Sequence, residues 1–256
     1  MQRWRQTTPL VRMFTIREFK TRYRQSALDI VWSLINPIVV MAVYGVVLHS
    51  AFHANGEGVP YLSFAWAGLI VWTFFSGSLS QAMPSLISAS DLLTKVYFPR
   101  ESLPLAMVGV GLVDLVIGIA TVLIVALIQG IDIRADAIAV VVPLGVLVIW
   151  TAALAIFGAM LTVFVRDVNH AGQLVLRVGF FATPVMYAPA ALPHALRWTA
   201  SVNPVAVCTE GVRDTLLRHH LPDWQLLGVH GAVAAVVLVA ALAYTRSIES
   251  RIADLV

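Results

Sequence analysis

The sequence predicts an all-α integral membrane protein: six membrane-crossing helices, an N-terminal helix at the interface, and a re-entrant helix pair after the fifth span. Three observations carry that prediction. Of 256 residues, 59% are hydrophobic and only 12% charged, half the roughly 25% charge of a soluble domain. The mean hydropathy is +0.83. The apolar residues also fall in runs of about 20, the length that crosses a bilayer, with short polar knots between them. A soluble fold must charge its surface, whereas lipid removes that requirement. Residues 1–256 read as one transmembrane domain.

The first 29 residues hold seven of the 17 Lys and Arg side chains. In LVRMFTIREFKTRYRQ, Ile16, Phe19 and Tyr23 share a helical face, with Arg17, Lys20 and Arg24 beside it. That suits an interfacial helix with rings in the lipid boundary and cations at anionic headgroups. The alternative is a charged flank that only sets topology. The first apolar run begins near Ile30 and lacks the small-residue cleavage site of a signal peptide.

Spans follow at 30–52, 62–89, 103–128, 137–165, 171–188 and 226–244. The fifth is shortest and contains Arg177. Six spans put both termini on one side, and charge chooses that side. With a cytoplasmic N-terminus, twelve basic residues lie inside against four outside, so both termini are expected in the cytoplasm. Arg166 and Asp167 then form the cytoplasmic turn between spans four and five.

The loop at 90–102 is the other cytoplasmic connection. Ser88, Ser90 and Asp91 offer helix caps and Pro99 a stop. Leu92, Val96, Tyr97 and Phe98 would project as apolar anchors, rimmed by Lys95, Arg100 and Glu101. Such a short helix is built like a docking peptide for a protein groove; the alternative is a loop packed on its own spans. On the outer side, residues 189–224 are too apolar for an aqueous loop and too interrupted by Pro193 and Pro204 to span. Asn203-Pro204 is a good helix start. Two short helices dipping back from outside fit this segment, as do two helices lying flat. Cys208 would be shielded in it, with Glu210 and Arg213 paired three apart and holding that end near water.

Several chemistries find no residues to carry them. The sequence has no P-loop, no HExxH and no nucleophile elbow. His49 and His53 stand four apart with no third ligand nearby, so no metal is expected. The lone Cys208 forbids an internal disulfide. The basic residues cluster at one end instead of forming a nucleic-acid face, so no nucleic acid is expected either. Asp114, deep in a span, has Arg177 as its candidate partner, and such a pair or hydrogen bonds to a neighbouring span are expected rather than a proton relay. Trp66, Trp72, Phe74, Phe75, Phe180, Phe181 and Tyr187 cluster in spans two and five. Their rings offer flat apolar faces with, for Trp and Tyr, a polar handle, as candidate pore lining, or they form an ordinary interfacial belt. Ala155 with Ala159, and Gly231 with Ala235, follow the small-xxx-small pattern of close helix contact and mark a dimer seam weakly. With nothing catalytic and no energy source, the chain reads as a subunit whose motor is elsewhere.

Four segments, TKVYFPRESLPLA, RDVNHAGQLVLRVGFFATPVMY, NPVAVCTEGVRDTLL and RIADLV, together resemble the permease of polysaccharide ABC exporters of the O-antigen, teichoic-acid and capsule type. The resemblance covers nearly the whole chain in order. It implies a homodimer bound to two ATP-binding cassette subunits, which would hold ATP and Mg, so this chain itself needs no cofactor. It implies that residues 92–100 dock on the ATPase, and that the substrate is a glycan on a polyprenyl diphosphate lipid moved to the outer leaflet. A type-2 ABC permease for drugs or other lipids stays open within the class. A membrane-embedded glycosyltransferase would need an acidic pair at a membrane face, and Asp132 with Asp136 lies on the wrong side. A proton-coupled carrier would need more than Asp114.

Overall fold

The computed structural model describes residues 2–24, 39, 58–90 and 98–255. The expected first span at 30–52, with His49, and also His53 lie outside these residues apart from Val39, as do Leu92, Lys95, Val96 and Tyr97 of the docking loop. The described chain is helical: α1 (Gln2–Arg24), α2 (Tyr61–Ala82), the single turn α3 (Ser85–Ser88), α4 (Ser102–Ile128), α5 (Val141–Phe164), α6 (Asp167–Ala182), α7 (Arg197–Val202), α8 (Pro204–Arg213) and α9 (Trp224–Leu255). Among the described residues four stretches are long and apolar enough to cross a membrane: Tyr61–Ala82, Ser102–Ile128, Ala135–Phe164 and Trp224–Ser247.

Burial ranks these four. In α2, 78% of the most apolar stretch is buried, against 28% in both α4 and α9. The central helix is therefore α2, with α4, α5 and α8 packed around it and α9 outside α5. Two glycines seven residues apart bring α4 close to α2. A Cβ at Gly118 would come 2.5 Å from the Ile70 side chain, and one at Gly111 would strike the Ser78 hydroxyl. Polar bonds fix the register: Trp66 Nε1 donates to Thr121 Oγ1 at 2.9 Å, and the Ser63 amide and hydroxyl both donate to Gln129 Oε1. A Schellman motif ends α4, Gly130 at φ +80° with Ile131 N donating to Ala126 O and Gly130 N to Leu127 O. On the other flank, Trp150 Nε1 donates to His230 O, and Phe157 meets the Tyr244 ring at 6.2 Å.

Three expectations need correction. The fifth apolar segment, expected at 171–188, is a helix over Asp167–Ala182. Its 16 residues reach only about 24 Å at 1.5 Å per residue, short of the roughly 30 Å hydrocarbon core. It starts early because Asp167 favours the N-terminal end of the helix dipole. It stops early because Thr183 precedes Pro184, and the proline ring forces its neighbour into an extended conformation, here φ −96°, ψ 137°. The second correction concerns Ala155 and Ala159. Both are fully buried within the chain, so they pack its own core and mark no seam; Ala159 sits among Phe14, Leu86, Phe98 and Met160. Thirdly, no ion pair joins Asp114 to Arg177 among the described residues.

The N-terminal helix lies along α4. Phe14 is its anchor, 4% exposed and 5.4 Å from the Phe98 ring. Gly109 opens α4 to Thr15, whose Oγ1 would sit 2.5 Å from a Cβ there. Ile16 and Met13 face outward at 44% and 53% exposure. The helix thus uses one face for the protein and leaves another, carrying Ile16, outside.

Candidate functional site

An open groove of about 630 Å³ runs between α2 and α6. Its α2 wall is Leu69, Trp72, Ser76 and Ser80, and its α6 wall is Gln173, Leu176, Arg177, Phe180 and Phe181. Both sets repeat every three or four residues, so each is one helical face. Trp72 meets Phe180 edge-on at 6.0 Å, and Phe180 meets Phe181 at 5.3 Å. Gly179 makes this possible, since a Cβ there would stand 3.0 Å from the Trp72 ring. Ser80 Oγ donates to Gln173 Oε1 at 2.9 Å, a polar tie across the groove floor. Ser76 spends its hydroxyl on the Trp72 carbonyl at 2.8 Å.

Two fasteners hold the groove. At the α6 start, the Met83 side chain fills the space left by Gly158 and Gly172, where a Cβ at Gly172 would collide with its sulfur. At the α6 end stands Arg213, fully buried. Its Nε donates to Phe64 O at 3.1 Å, Nη1 to Pro184 O at 3.0 Å and to Glu210 Oε1 at 2.6 Å, and Nη2 to Val185 O. The guanidinium carbon also lies 3.5 Å from the Phe64 ring centroid. One side chain therefore ties the top of α2, the end of α6 and the C-terminus of α8. Gly68 leaves room for it: a Cβ there would meet Arg213 Nη2 at 2.5 Å and strike the Val185 carbonyl. Glu210 bridges to a second cation, its Oε2 accepting from Arg218 Nη1 at 2.8 Å, and Arg218 also binds Asp214 at 2.8 Å.

The expected Asn203 cap is present, its Oδ1 accepting from Val205 N at 3.0 Å, with Pro204 first in α8. Its amide also donates to Thr183 Oγ1 at 2.8 Å, joining α8 to the α6 end. Cys208 is fully buried in α8, as are most residues of that helix, so α8 is enclosed by the rest of the chain. The short α7 does lie exposed, with Trp198 at 62%. Glu210 pairs with Arg213 as the spacing suggested, but the expected wet end is corrected: Arg213 is sealed inside. Sequence reasoning missed its role because three of its acceptors are main-chain carbonyls remote in sequence.

The aromatic set divides by face. Trp72, Phe180 and Phe181 line the groove, and Phe75 backs Trp72 at 5.7 Å. Tyr187 caps the α6 end by donating to Phe181 O at 2.8 Å. Trp66 and Phe74 turn toward α4 and are core residues. Arg166 and Asp167 are exposed at the one-turn link from α5 to α6. Phe98, Arg100 and Glu101 depart from the projecting pattern expected of them, being only 5%, 6% and 2% exposed. Phe98 is spent on Phe14 and the α4–α5 core, so it is no free anchor in this conformation.

A family model described as ABC-2 type transporter matches residues 9–217. The chain is 30% identical over 240 residues to the O-antigen export system permease protein RfbA of Myxococcus xanthus, covering 93% of this chain and 92% of that one. Two proteins of the same description from Klebsiella pneumoniae match at 24% and 22% identity, each over 96% of this chain and 94% of their own length.

Proposed function

The chain belongs to the ABC-2 type transporter family, and on that footing we propose that it is the membrane subunit of an ATP-driven exporter of O-antigen-type polysaccharide. The observation that carries this reading is end-to-end likeness to a permease so described, 93% of one chain against 92% of the other. On this reading two copies pair and bind two ATP-hydrolysing subunits, which hold ATP and Mg. Residues 30–52, and α6 together with the stretch to Ala188 that follows it, complete six crossings of the inner membrane, both termini stay cytoplasmic, and residues 189–224 re-enter from outside. The cargo is a glycan on a polyprenyl diphosphate, passed from the cytoplasmic to the outer leaflet.

The groove supports this division of labour. Trp72, Phe180 and Phe181 offer apolar ring faces, while Gln173 and Arg177 offer N–H donors. Sugars and their lipid carrier present the matching mixture of C–H faces and oxygens. On this reading the chain's part is to bind, guide and close. The reading is tested in a strain deleted for its own O-antigen permease and ATPase. Supplying this chain with its neighbouring ATPase should restore surface glycan, and an ATPase disabled in its P-loop should not. ATP hydrolysis by the purified chain alone would sink the reading.

A further inference from the structure

We propose that Arg177 binds the phosphate of an amphiphilic substrate in the α2–α6 groove; this rests on the groove being part of the substrate's route. Arg177 lies ten residues into α6, about 15 Å from its start at 1.5 Å per residue. On the proposed topology, with α6 starting at the cytoplasmic face, that is halfway through a hydrocarbon core of roughly 30 Å. An ionised side chain at such depth faces an interior, pairs with something, or marks a path for charge. Arg177 is exposed within the described chain, and no carboxylate of the described residues stands within ion-pair distance of it, which leaves a path for charge. Asp114, the only acidic residue within the long apolar helix α4, does not reach it.

The surroundings say what kind of anion fits. A guanidinium presents parallel N–H groups that match a phosphate in two bonds. One turn earlier on the same face, Gln173 commits its carbonyl to Ser80 Oγ, while its amide group reaches Ser80 O only at a long 3.4 Å. Gln173 can therefore give an N–H to a second oxygen of the same ligand. Trp72, Phe180 and Phe181 adjoin this polar pair, so apolar surface lies beside the charge. A polyprenyl diphosphate has that pairing, and so does an ordinary anionic phospholipid.

Native mass spectrometry of the purified full chain separates the two, using polyprenyl diphosphate, the uncharged polyprenol and phosphatidylglycerol as probes. Wild type should hold the diphosphate at least tenfold better than polyprenol. Arg177→Gln should erase that preference, and Arg177→Lys should keep part of it. Because the glutamine removes an unneutralised charge from an exposed site, its melting temperature should not fall, which sets aside a folding cause. An unchanged preference in Arg177→Gln overturns the proposal. Equal loss of phosphatidylglycerol and diphosphate binding also overturns it, giving the cation to the bilayer. Wild-type export that persists undiminished in Arg177→Gln removes this site alone, whereas failure of wild-type export strikes the exporter reading.

Discussion

Arg213 joins three segments of the chain, because main-chain carbonyls at the top of α2 and the end of α6 accept from its guanidinium while it ends α8. Removing a buried cation that satisfies so many acceptors costs about 3–5 kcal/mol. Arg213→Met should therefore lower the melting temperature of the detergent-purified protein sharply. Arg213→Lys should fall between, since a point charge cannot reach four acceptors at once. Equal melting of Arg213→Met and wild type would refute the role. Cys208 gives a second prediction. It is fully buried, and burial pushes its thiol up to about 12. An impermeant maleimide at pH 8 should therefore label it slowly, for want of both access and thiolate. Rapid labelling of the native protein would show α8 to be exposed. The α8 start could be read in the sequence because Asn203 and Pro204 act on their immediate neighbours. The destiny of Arg213 could not, because Phe64 and Val185 reach it only through folding.

At the scale of elements, α1 is held to the rest by a small apolar joint. Phe14, Phe98, Leu86, Leu103 and Met160 share one cluster, so α1 grips the first residues after the docking loop. Phe14→Ala should cost about 3 kcal/mol, the lower end for a buried Phe. Hydrogen exchange should then rise across residues 7–21 while α2 keeps its protection. Uniform loss of protection would mean that α1 is not a separable unit. The helix itself and its cationic stripe were legible from spacing, but its buried face was not: which side meets α4 depends on Gly109 admitting Thr15. In α6, the apolar run obscured a stronger local signal. Thr183-Pro184 ends the helix, and run length alone had carried the segment on to residue 188.

For the whole molecule, the docking loop and the core can be separated by mutation. Because Phe98 is buried in the chain's own cluster, Phe98→Ser should lower thermal stability. Tyr97→Ser should weaken co-purification with the ATPase if the loop at 90–102 is the dock. Charge reversal at Lys95 should do less, since exposed ion pairs contribute only about 0–1 kcal/mol. Unchanged ATPase retention in Tyr97→Ser with Lys95→Glu would remove the loop as the dock. Topology has an equally direct check. In a Cys208→Ala background, cysteines at His194 and at His219 should both react with an impermeant reagent from outside, and labelling of one alone would overturn the six-span arrangement. The all-helical membrane class was legible because lipid leaves its mark on composition; of the seven rings singled out in spans two and five, Trp72, Phe180 and Phe181 line the groove. What composition could not show is that Trp66 and Phe74 turn away from it, since that depends on how closely Gly111 and Gly118 let α4 approach.

The two fasteners of α6 also have a mechanical meaning. Met83 with the Ser80–Gln173 bond restrains one end, and Arg213 restrains the other. A beam clamped at both ends can bow, but it cannot swing like a door. So α2 and α6 are joined as one stiff wall, and on the proposed function the bore for a bulky polymer would come from whole walls drawing apart.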